Sequence, residues 1–135
     1  MRVRIHTTSD EQWEMASKVE ADRIPFFTPG MIGCRTFIAV YMGEKVIGIA
    51  SLTEETVWME NAIGVGYIST HVDHRNQGVS KLLVDAVFDY AKETKRGISN
   101  TRYEPDGELY LKPVIQRTAL KYPSVKFVER EQLTR

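Results

Sequence analysis

Residues 72–83, VDHRNQGVSKLL, connect two stretches of different periodicity. Residues 60–72 carry the apolar pattern of a strand, and from Leu82 onward apolar residues recur at helical spacing. The intervening Arg-Asn-Gln-Gly sequence, residues 75–78, contributes little to the packing of either element. This stretch therefore predicts a strand-to-helix loop whose residues serve a purpose other than packing.

The loop has the features of an anion site. A helix that starts near Ser80 has unpaired N–H groups and about half a positive charge at its N-terminus. Gly78 lets the backbone approach a ligand closely, and Arg75 adds a permanent cation. These features favour phosphate or diphosphate as the ligand. An ordinary loop with an exposed arginine is the alternative interpretation.

Strands and helices alternate over the rest of the chain. The strand pattern recurs in six segments: residues 2–7, 34–42, 45–53, 60–72, about 98–103 and 124–129. The helix pattern covers residues 9 to about 24, 80–96 and about 107–121. A hairpin turn is predicted at Gly43-Glu44, and a bulge or a close backbone approach at Gly64 and Gly66. Gly97 is expected as the residue that ends the second helix.

This order of elements predicts an α/β (α+β) fold. Strands joined by a hairpin pair antiparallel, and strands joined through a helix pair parallel. The expected architecture is therefore one mixed, mostly antiparallel sheet with helices on both faces. We expect a single domain over residues 1–135, because 135 residues with 42% hydrophobic content suffice for one core.

Composition excludes several classes of function. Lys plus Arg and Asp plus Glu both number 18, and this balance argues against a nucleic-acid partner. Cys34 is the single cysteine, so no internal disulfide is expected and a cytoplasmic setting fits best. The chain lacks Cys/His metal-ligand spacings and an apolar run of membrane-spanning length. We therefore expect neither a metal site nor a membrane span.

The stretch 75–80 resembles the acetyl-coenzyme A (acetyl-CoA) loop of the GCN5-related N-acetyltransferase (GNAT) superfamily. That motif is Arg or Gln, two residues, Gly, one residue, and then Gly or Ala at the start of a long helix. Arg75 and Gly78 match it, and Ser80 departs from it at the sixth position with another small residue. The order of elements along the chain is similar as well.

The resemblance implies an acetyl-CoA-dependent N-acetyltransferase that transfers the acetyl group directly to an amine acceptor, a small molecule or a protein. It implies that the interrupted strand splays from its neighbour and that pantetheine pairs with the strand like an added strand. The implied coenzyme-binding residues are Ile68, Thr70, Val72, Arg75, Asn76, Gln77, Gly78, Val79 and Ser80.

The resemblance also implies a catalytic acid. Family members often carry a tyrosine that protonates the leaving thiolate, followed after four residues by a phenylalanine. Tyr122 and Phe127 reproduce that spacing. The chain departs from the pattern at Lys126, where the family prefers glycine, and at Ile115, where it places a helper asparagine. Two other tyrosines remain alternatives to Tyr122, namely Tyr103 and Tyr110.

The sequence does not identify a single residue as the general base. Some members place a glutamate on the interrupted strand at the position that is Gly64 here, so that role does not transfer. His71 is one candidate, because histidine is the residue type most often used as a general base near neutral pH. The other candidates are a water molecule or one of the carboxylates of Glu54, Glu55 and Glu60. The departures also allow a weak or inactive domain that works as a CoA-binding or protein-interaction module.

The short C-terminal segment motivates an expectation about assembly. Eight residues follow Phe127, which is too few for a further strand pair in the same chain. Because exposed strand edges are usually covered, a second copy is expected to cover this one, as a homodimer.

Overall fold

A computed structural model describes residues 1–7, 24, 36–54, 59–100 and 105–129 of the chain. Most of the helix predicted from residue 9, together with Cys34, Glu55 and Tyr103, lies outside the described residues. No helix within the described part is long and apolar enough to cross a membrane.

Six strands and two α-helices make up the described fold. The strands are β1 Arg2–Thr7, β2 Thr36–Met42, β3 Lys45–Thr53, β4 Ala62–Thr70, β5 Gly97–Asn100 and β6 Phe127–Glu129. The helices are α1 Val79–Glu93 and α2 Pro105–Leu120, and a 3-10 turn spans Val72–His74. The strands lie in chain order in one sheet, antiparallel from β1 to β4 and parallel from β4 to β6. The predicted mixed, mostly antiparallel sheet is confirmed.

The predicted hairpin between β2 and β3 is present. Met42 pairs with Lys45, which leaves Gly43 and Glu44 as a two-residue loop. Gly43 has a φ of 62°, a left-handed conformation that glycine adopts without strain. This turn fixes the register of the two strands at the centre of the sheet.

Helix α1 covers one face of the sheet with an apolar stripe at helical spacing. Its buried residues are Val79, Leu83, Val84, Val87, Phe88 and Ala91. They join a core that includes Ile38, Ile47, Ile63 and Ile98 from the strands. A second cluster consists of Ile24, Phe37, Ala39, Tyr41, Val46 and Ile49. The sheet thus contributes apolar side chains from both faces.

Gly48 on β3 lets α1 approach the sheet closely. A Cβ atom at this position would lie 2.4 Å from Val79 Cγ1 and 3.1 Å from Leu83 Cδ1, both of which are buried. Only a residue without a side chain fits there while the first turns of α1 keep their place. The position of the helix N-terminus therefore depends on Gly48.

The predicted end of α1 at Gly97 is wrong. The helix ends at Glu93, and Lys95 takes the left-handed conformation with a φ of 56°. The Arg96 N–H donates to Ala91 O (2.9 Å) and the Lys95 N–H to Lys92 O (3.2 Å), which is a Schellman motif. Gly97 instead begins β5, where a Cβ atom would lie 2.8 Å from Lys126 O. Close strand packing explains this glycine.

Strands β4 and β5 separate after a short parallel segment. Their pairing covers Ala62–Val65 of β4, whereas β4 stays paired with β3 through Thr70. The separation follows a bulge at Gly66, where the register with β3 shifts between Ser51 and Leu52. A Cβ atom on Gly66 would lie 2.7 Å from Ser51 Oγ. We call the space between residues 66–70 of β4 and the end of β5 at Asn100 the fork.

Candidate functional site

The loop between β4 and α1 presents backbone donors to solvent. Two of its residues have left-handed conformations, Asn76 with a φ of 63° and Gly78 with a φ of 81°. The backbone hydrogen bonds of α1 begin with the Leu82 N–H, which donates to Gly78 O at 3.1 Å. The N–H groups of the preceding first-turn residues therefore have no acceptor within the helix. Arg75 and Gly78 are exposed, so a ligand can reach these donors.

The charges around this helix N-terminus favour an anion. Helix N-termini usually attract Asp or Glu, because the helix dipole is positive there. The first turn of α1 contains no acidic residue and carries Lys81 instead, and Arg75 lies just before it. Two cations at this end oppose the dipole, an arrangement that a bound phosphate group would compensate.

Ser80, the departure from the loop motif, contacts the end of β4. Its Oγ lies 3.1 Å from Thr70 Oγ1, and the two hydroxyl groups share a hydrogen bond. Serine is larger than the Gly or Ala that the motif has at its sixth position. A hydrogen-bond partner on the neighbouring strand accommodates its hydroxyl group. This bond connects the first turn of α1 directly to the strand edge at the fork.

The edge of β4 has backbone groups directed into the fork. The Tyr67 N–H donates to Ser51 Oγ (2.9 Å) and the His71 N–H to Ile47 O (2.8 Å), both on the β3 side. Backbone groups of successive strand residues point to alternate sides. Those of Ile68 and Thr70 therefore face the fork, as expected for a strand edge that accepts an extended ligand. Val72 follows within the 3-10 turn.

His71 is fully buried at the start of the 3-10 turn. Its Nδ1 accepts a hydrogen bond from the Asp73 N–H at 3.1 Å, and its ring meets that of His74 edge-on at 5.2 Å. His74 Nδ1 in turn donates to Gln77 Oε1 at 3.1 Å. These contacts fit a residue that shapes the loop, and burial argues against contact between His71 and a substrate amine.

Tyr122 lies beside the fork, separated from it by Phe88. Its ring packs on Phe88 at 5.5 Å, and Phe88 packs on Phe127 at 5.7 Å. The Tyr122 hydroxyl donates to Asp89 Oδ1 at 2.5 Å. That hydrogen bond, helped by partial burial, raises the pKa of Tyr122 to about 12. Tyr110, an alternative acid, is 71% exposed on α2.

The base of the fork is a small apolar cavity. Eight apolar residues and one polar residue line it: Val65, Ile68, Val84, Val87, Phe88, Ile98, Ile115, Phe127 and Asn100. Residues from β4, β5, β6 and both helices meet here. The cavity has a volume of about 10 Å³, room for no more than one water molecule, so it marks the closed end of the fork.

Glu54, a candidate base, is held in a hydrogen-bonded cluster at the end of β3. Its carboxylate accepts from the hydroxyls of Thr36 and Tyr90 (2.7 Å for Tyr90) and lies 2.6 Å from Arg96 Nη1. Burial alone would raise the pKa of this carboxyl, but these hydrogen bonds and the Arg96 charge lower it below its ordinary value. Burial and the Glu54 hydrogen bond raise the pKa of Tyr90. The cluster connects β3 with the C-terminal end of α1.

Glu60 is exposed and lies at the opposite end of β4 from the fork. Among the described residues, no group of three His, Cys, Asp or Glu side chains is placed to bind a metal ion.

The fork and the loop together place donors for an anion next to an open strand edge. A sequence profile described as the Acetyltransferase (GNAT) family matches residues 4–104. The chain therefore belongs to this family. No protein of established function gives a significant sequence match.

Solved structures with the same fold include acetyltransferases. An AAC(6')-Iy structure in complex with a bisubstrate analogue has a TM-score of 0.60 at 13% identity, over 87% of this chain and 90% of that one. A ribosomal-protein-alanine N-acetyltransferase from Brucella melitensis biovar Abortus 2308 has a TM-score of 0.57 at 22% identity, over 82% and 88%. At these identities the likeness establishes the fold.

A third similar structure is described differently. It is a transcriptional regulator from Bacillus halodurans C-125, with a TM-score of 0.57 at 16% identity over 86% of this chain and 91% of that one. The same fold thus occurs in a protein whose description names a regulatory role and no catalytic activity. Fold alone does not decide between the two kinds of function.

Proposed function

We propose that this protein is an acetyl-CoA-dependent N-acetyltransferase that transfers the acetyl group directly to an amine. The observation that supports it most is the fork, because an open strand edge ends at a helix whose first turn offers unpaired donors and carries no acid. A ligand with an extended amide-bearing arm and a diphosphate complements both surfaces. Acetyl-CoA has that composition.

The proposed binding mode divides the ligand between two surfaces. Backbone groups of Ile68, Thr70 and Val72 pair with the pantetheine arm in the fork. The diphosphate binds at the loop, next to the Arg75 guanidinium, on backbone donors of five residues: Asn76, Gln77, Gly78, Val79 and Ser80. The arm then leads from the loop into the fork, where the thioester would lie.

The proposed reaction is nucleophilic attack of a neutral amine on the thioester carbonyl carbon. A C–N bond forms, and the carbonyl electron pair moves to oxygen and returns as the C–S bond breaks. The sulfur leaves as thiolate and takes up a proton, and the nitrogen loses one. Positioning supplies most of the acceleration, since both reactants are held in one cleft.

For the two proton transfers, we propose Tyr122 as the acid and water as the base. Tyr122 packs on Phe88, which lines the cavity at the base of the fork, and its raised pKa keeps it protonated at neutral pH. Water is favoured as base because Glu54 is engaged by Arg96, His71 is buried and Glu60 lies at the far end of β4. Acceptor amines of small molecules or of proteins satisfy this chemistry.

The first prediction tests the anion site by charge reversal. Lys81→Glu is expected to lower the affinity for acetyl-CoA about tenfold, because it places a carboxylate beside the diphosphate. The same change should stabilise α1 by about 0.3–1 kcal/mol, since a negative charge favours the helix N-terminus. Isothermal titration with acetyl-CoA and thermal unfolding measure the two effects.

Lys92→Glu is the matched control for this prediction. It replaces another exposed lysine of α1, so the net charge of the protein changes by the same amount. This lysine lies at the C-terminal end of the helix. Its effect on acetyl-CoA affinity should be small. Equal losses in both variants would contradict a diphosphate site at the loop, and an absence of wild-type binding at millimolar acetyl-CoA would refute the proposed function.

The second prediction concerns Tyr122. Tyr122→Phe should lower kcat about tenfold with little change in KM. This effect is below the usual range for a general acid, because a thiolate leaves readily even before it is protonated. Since the pKa of Tyr122 is about 12, its deprotonation should not reduce the rate of wild type between about pH 7 and pH 10. Acetylation rates with an amine panel, measured across this range, test both statements.

Asp89→Asn is the control for Tyr122→Phe. It removes the carboxylate whose hydrogen bond raises the Tyr122 pKa but keeps the phenol, so kcat should not fall with it. An unchanged kcat in Tyr122→Phe excludes Tyr122 as the acid.

A binding or regulatory module is the second candidate function. It is favoured by the Tyr122 hydroxyl, which is engaged by Asp89 and does not line the fork cavity. Under this alternative the protein binds CoA but transfers acetyl to none of the amines in the panel. The titration and the transfer assay described above therefore separate the two functions.

A further inference from the structure

A cleft opens at the end of the sheet opposite the fork, beside the C-terminal end of α1. Three segments line it, namely the turn before β4, the end of α1 with the turn after it, and the segment that leads into β6. Its volume of about 360 Å³ lies in the range of small-molecule sites. Because α1 has 15 residues, about 22 Å of helix separates the cleft from the loop.

Positive charge dominates the lining of this cleft. Lys92, Lys95 and Lys126 all line it and are all exposed. None of these lysines lies within 4 Å of a carboxylate in the part of the chain that the structure describes. Arg96 also lines the cleft, but it is already paired with a carboxylate at 2.6 Å. Among the described lining residues, Glu60 is the single acidic one.

The helix dipole accounts for only part of this cluster of cations. Lys92 in the last turn of α1 and Lys95 just after it lie near the negative end of the helix, where a cation is favourable. Lys126 belongs to a different segment, and its ammonium group adds repulsion between like charges at the same cleft. A bound anion would compensate this repulsion.

Backbone acceptors at the cleft are already engaged. Lys95 O accepts from Asn61 Nδ2 at 3.2 Å, and Asn61 O accepts from the Gly97 N–H at 3.0 Å. Lys126 O accepts from the Ile98 N–H at 2.8 Å. The lysine ammonium groups carry donors only. The cleft therefore offers donors in excess of acceptors, which is complementary to an anion.

We propose that this cleft binds the phosphate monoester of a small organic molecule, at a site separate from the acetyl-CoA site. A phosphate group carries close to two negative charges at neutral pH and three acceptor oxygens, so it can bind several lysines at once. A single carboxylate balances only one of the three charges. The apolar lining from Met59, Ala91 and Val125 is complementary to the organic body of the ester.

Phenyl phosphate is the probe, and two-dimensional amide NMR of the full chain is the measurement. In wild type the probe should shift the backbone amide signals of Asn61, Lys95, Gly97 and Lys126. Inorganic phosphate, which lacks the organic body, and benzoate, which carries one charge, should each bind about tenfold more weakly. Unchanged amide signals at millimolar phenyl phosphate, or equal affinity for the two phosphates, would overturn the proposal.

Two variants test the lysines one at a time. Lys126→Gln and Lys95→Asn should each weaken phenyl phosphate binding about fivefold. Asparagine is chosen for position 95 because it tolerates the left-handed conformation of that residue, which has a φ of 56°. Lys121→Gln removes an exposed lysine outside the cleft and should bind the probe like wild type. Equal losses in all three variants would show a dependence on net charge alone and overturn the proposal.

The same spectra separate this cleft from the loop between β4 and α1. Binding of the probe at the loop would shift a second set of amide signals, those of residues 76–80, and Lys81→Glu should remove that set while the cleft signals still shift. Shifts confined to the loop would overturn the proposal. Shifts at the cleft in a protein that does not bind acetyl-CoA would support it and refute only the proposed function.

Discussion

Gly78→Val should reduce the affinity for acetyl-CoA about a hundredfold. Gly78 has a φ of 81°, a conformation that costs an L-residue about 1–2 kcal/mol and that β-branched residues rarely adopt. The valine therefore either distorts the loop or holds a branched side chain in front of the α1 donors. Nothing lies within 4 Å of a Cβ atom at this position, so the expected loss does not come from a clash within the protein.

Gly78→Asn is the informative companion to this variant. Asparagine tolerates the left-handed conformation, as Asn76 already does two residues earlier with a φ of 63°. If Gly78→Asn keeps its affinity, the loop conformation is what the ligand requires. If it also loses affinity, the ligand approaches the backbone closely. Acetyl-CoA affinity in Gly78→Val within twofold of wild type by titration would contradict the loop assignment.

Gly48→Ala should destabilise the protein by about 1–3 kcal/mol, the usual cost of overpacking a core. The added methyl group would lie 2.4 Å from Val79 Cγ1, and neither Val79 nor Leu83 has space to retreat. Helix α1 must then move away from β3 at its N-terminal end. Urea denaturation should show the loss of stability, and titration should show weaker acetyl-CoA binding, because the displaced turn carries the anion site.

A double variant tests whether this contact is the cause. Val79→Ala removes the methyl groups that oppose the new Cβ atom, so Gly48→Ala/Val79→Ala should be less destabilised than the sum of the two single changes. Contacting residues typically show coupling of about 0.5–3 kcal/mol. Additive free energies of unfolding would show that Gly48 acts through something other than Val79.

Local patterns in the sequence predicted much of the fold. The hairpin at Gly43-Glu44, the bulge at Gly66 and the long helix after the loop all arise from contacts close in sequence. Such features depend on turn chemistry and periodicity, which a single sequence contains. The sequence likewise predicted that the segment from Arg75 to Ser80 joins a strand to a helix, and it does.

Other features depend on residues distant in sequence, and these were missed or misassigned. From the sequence, Gly48 is only a residue with low strand propensity inside a strand. The close packing of Val79 on it explains why a glycine is needed there. Gly97 resembles a helix end, yet strand packing against Lys126 requires it, and Lys95 adopts the left-handed conformation instead. Asn100 is an ordinary polar residue in the sequence, and its burial appears only when β5 packs among its neighbouring strands and helices.

The hydrogen bond between Thr70 and Ser80 has a thermodynamic consequence. It fixes the separation between the end of a strand and the start of a helix before any ligand arrives. A molecule long enough to contact both therefore meets a rigid pair of surfaces, and little conformational entropy is lost on association.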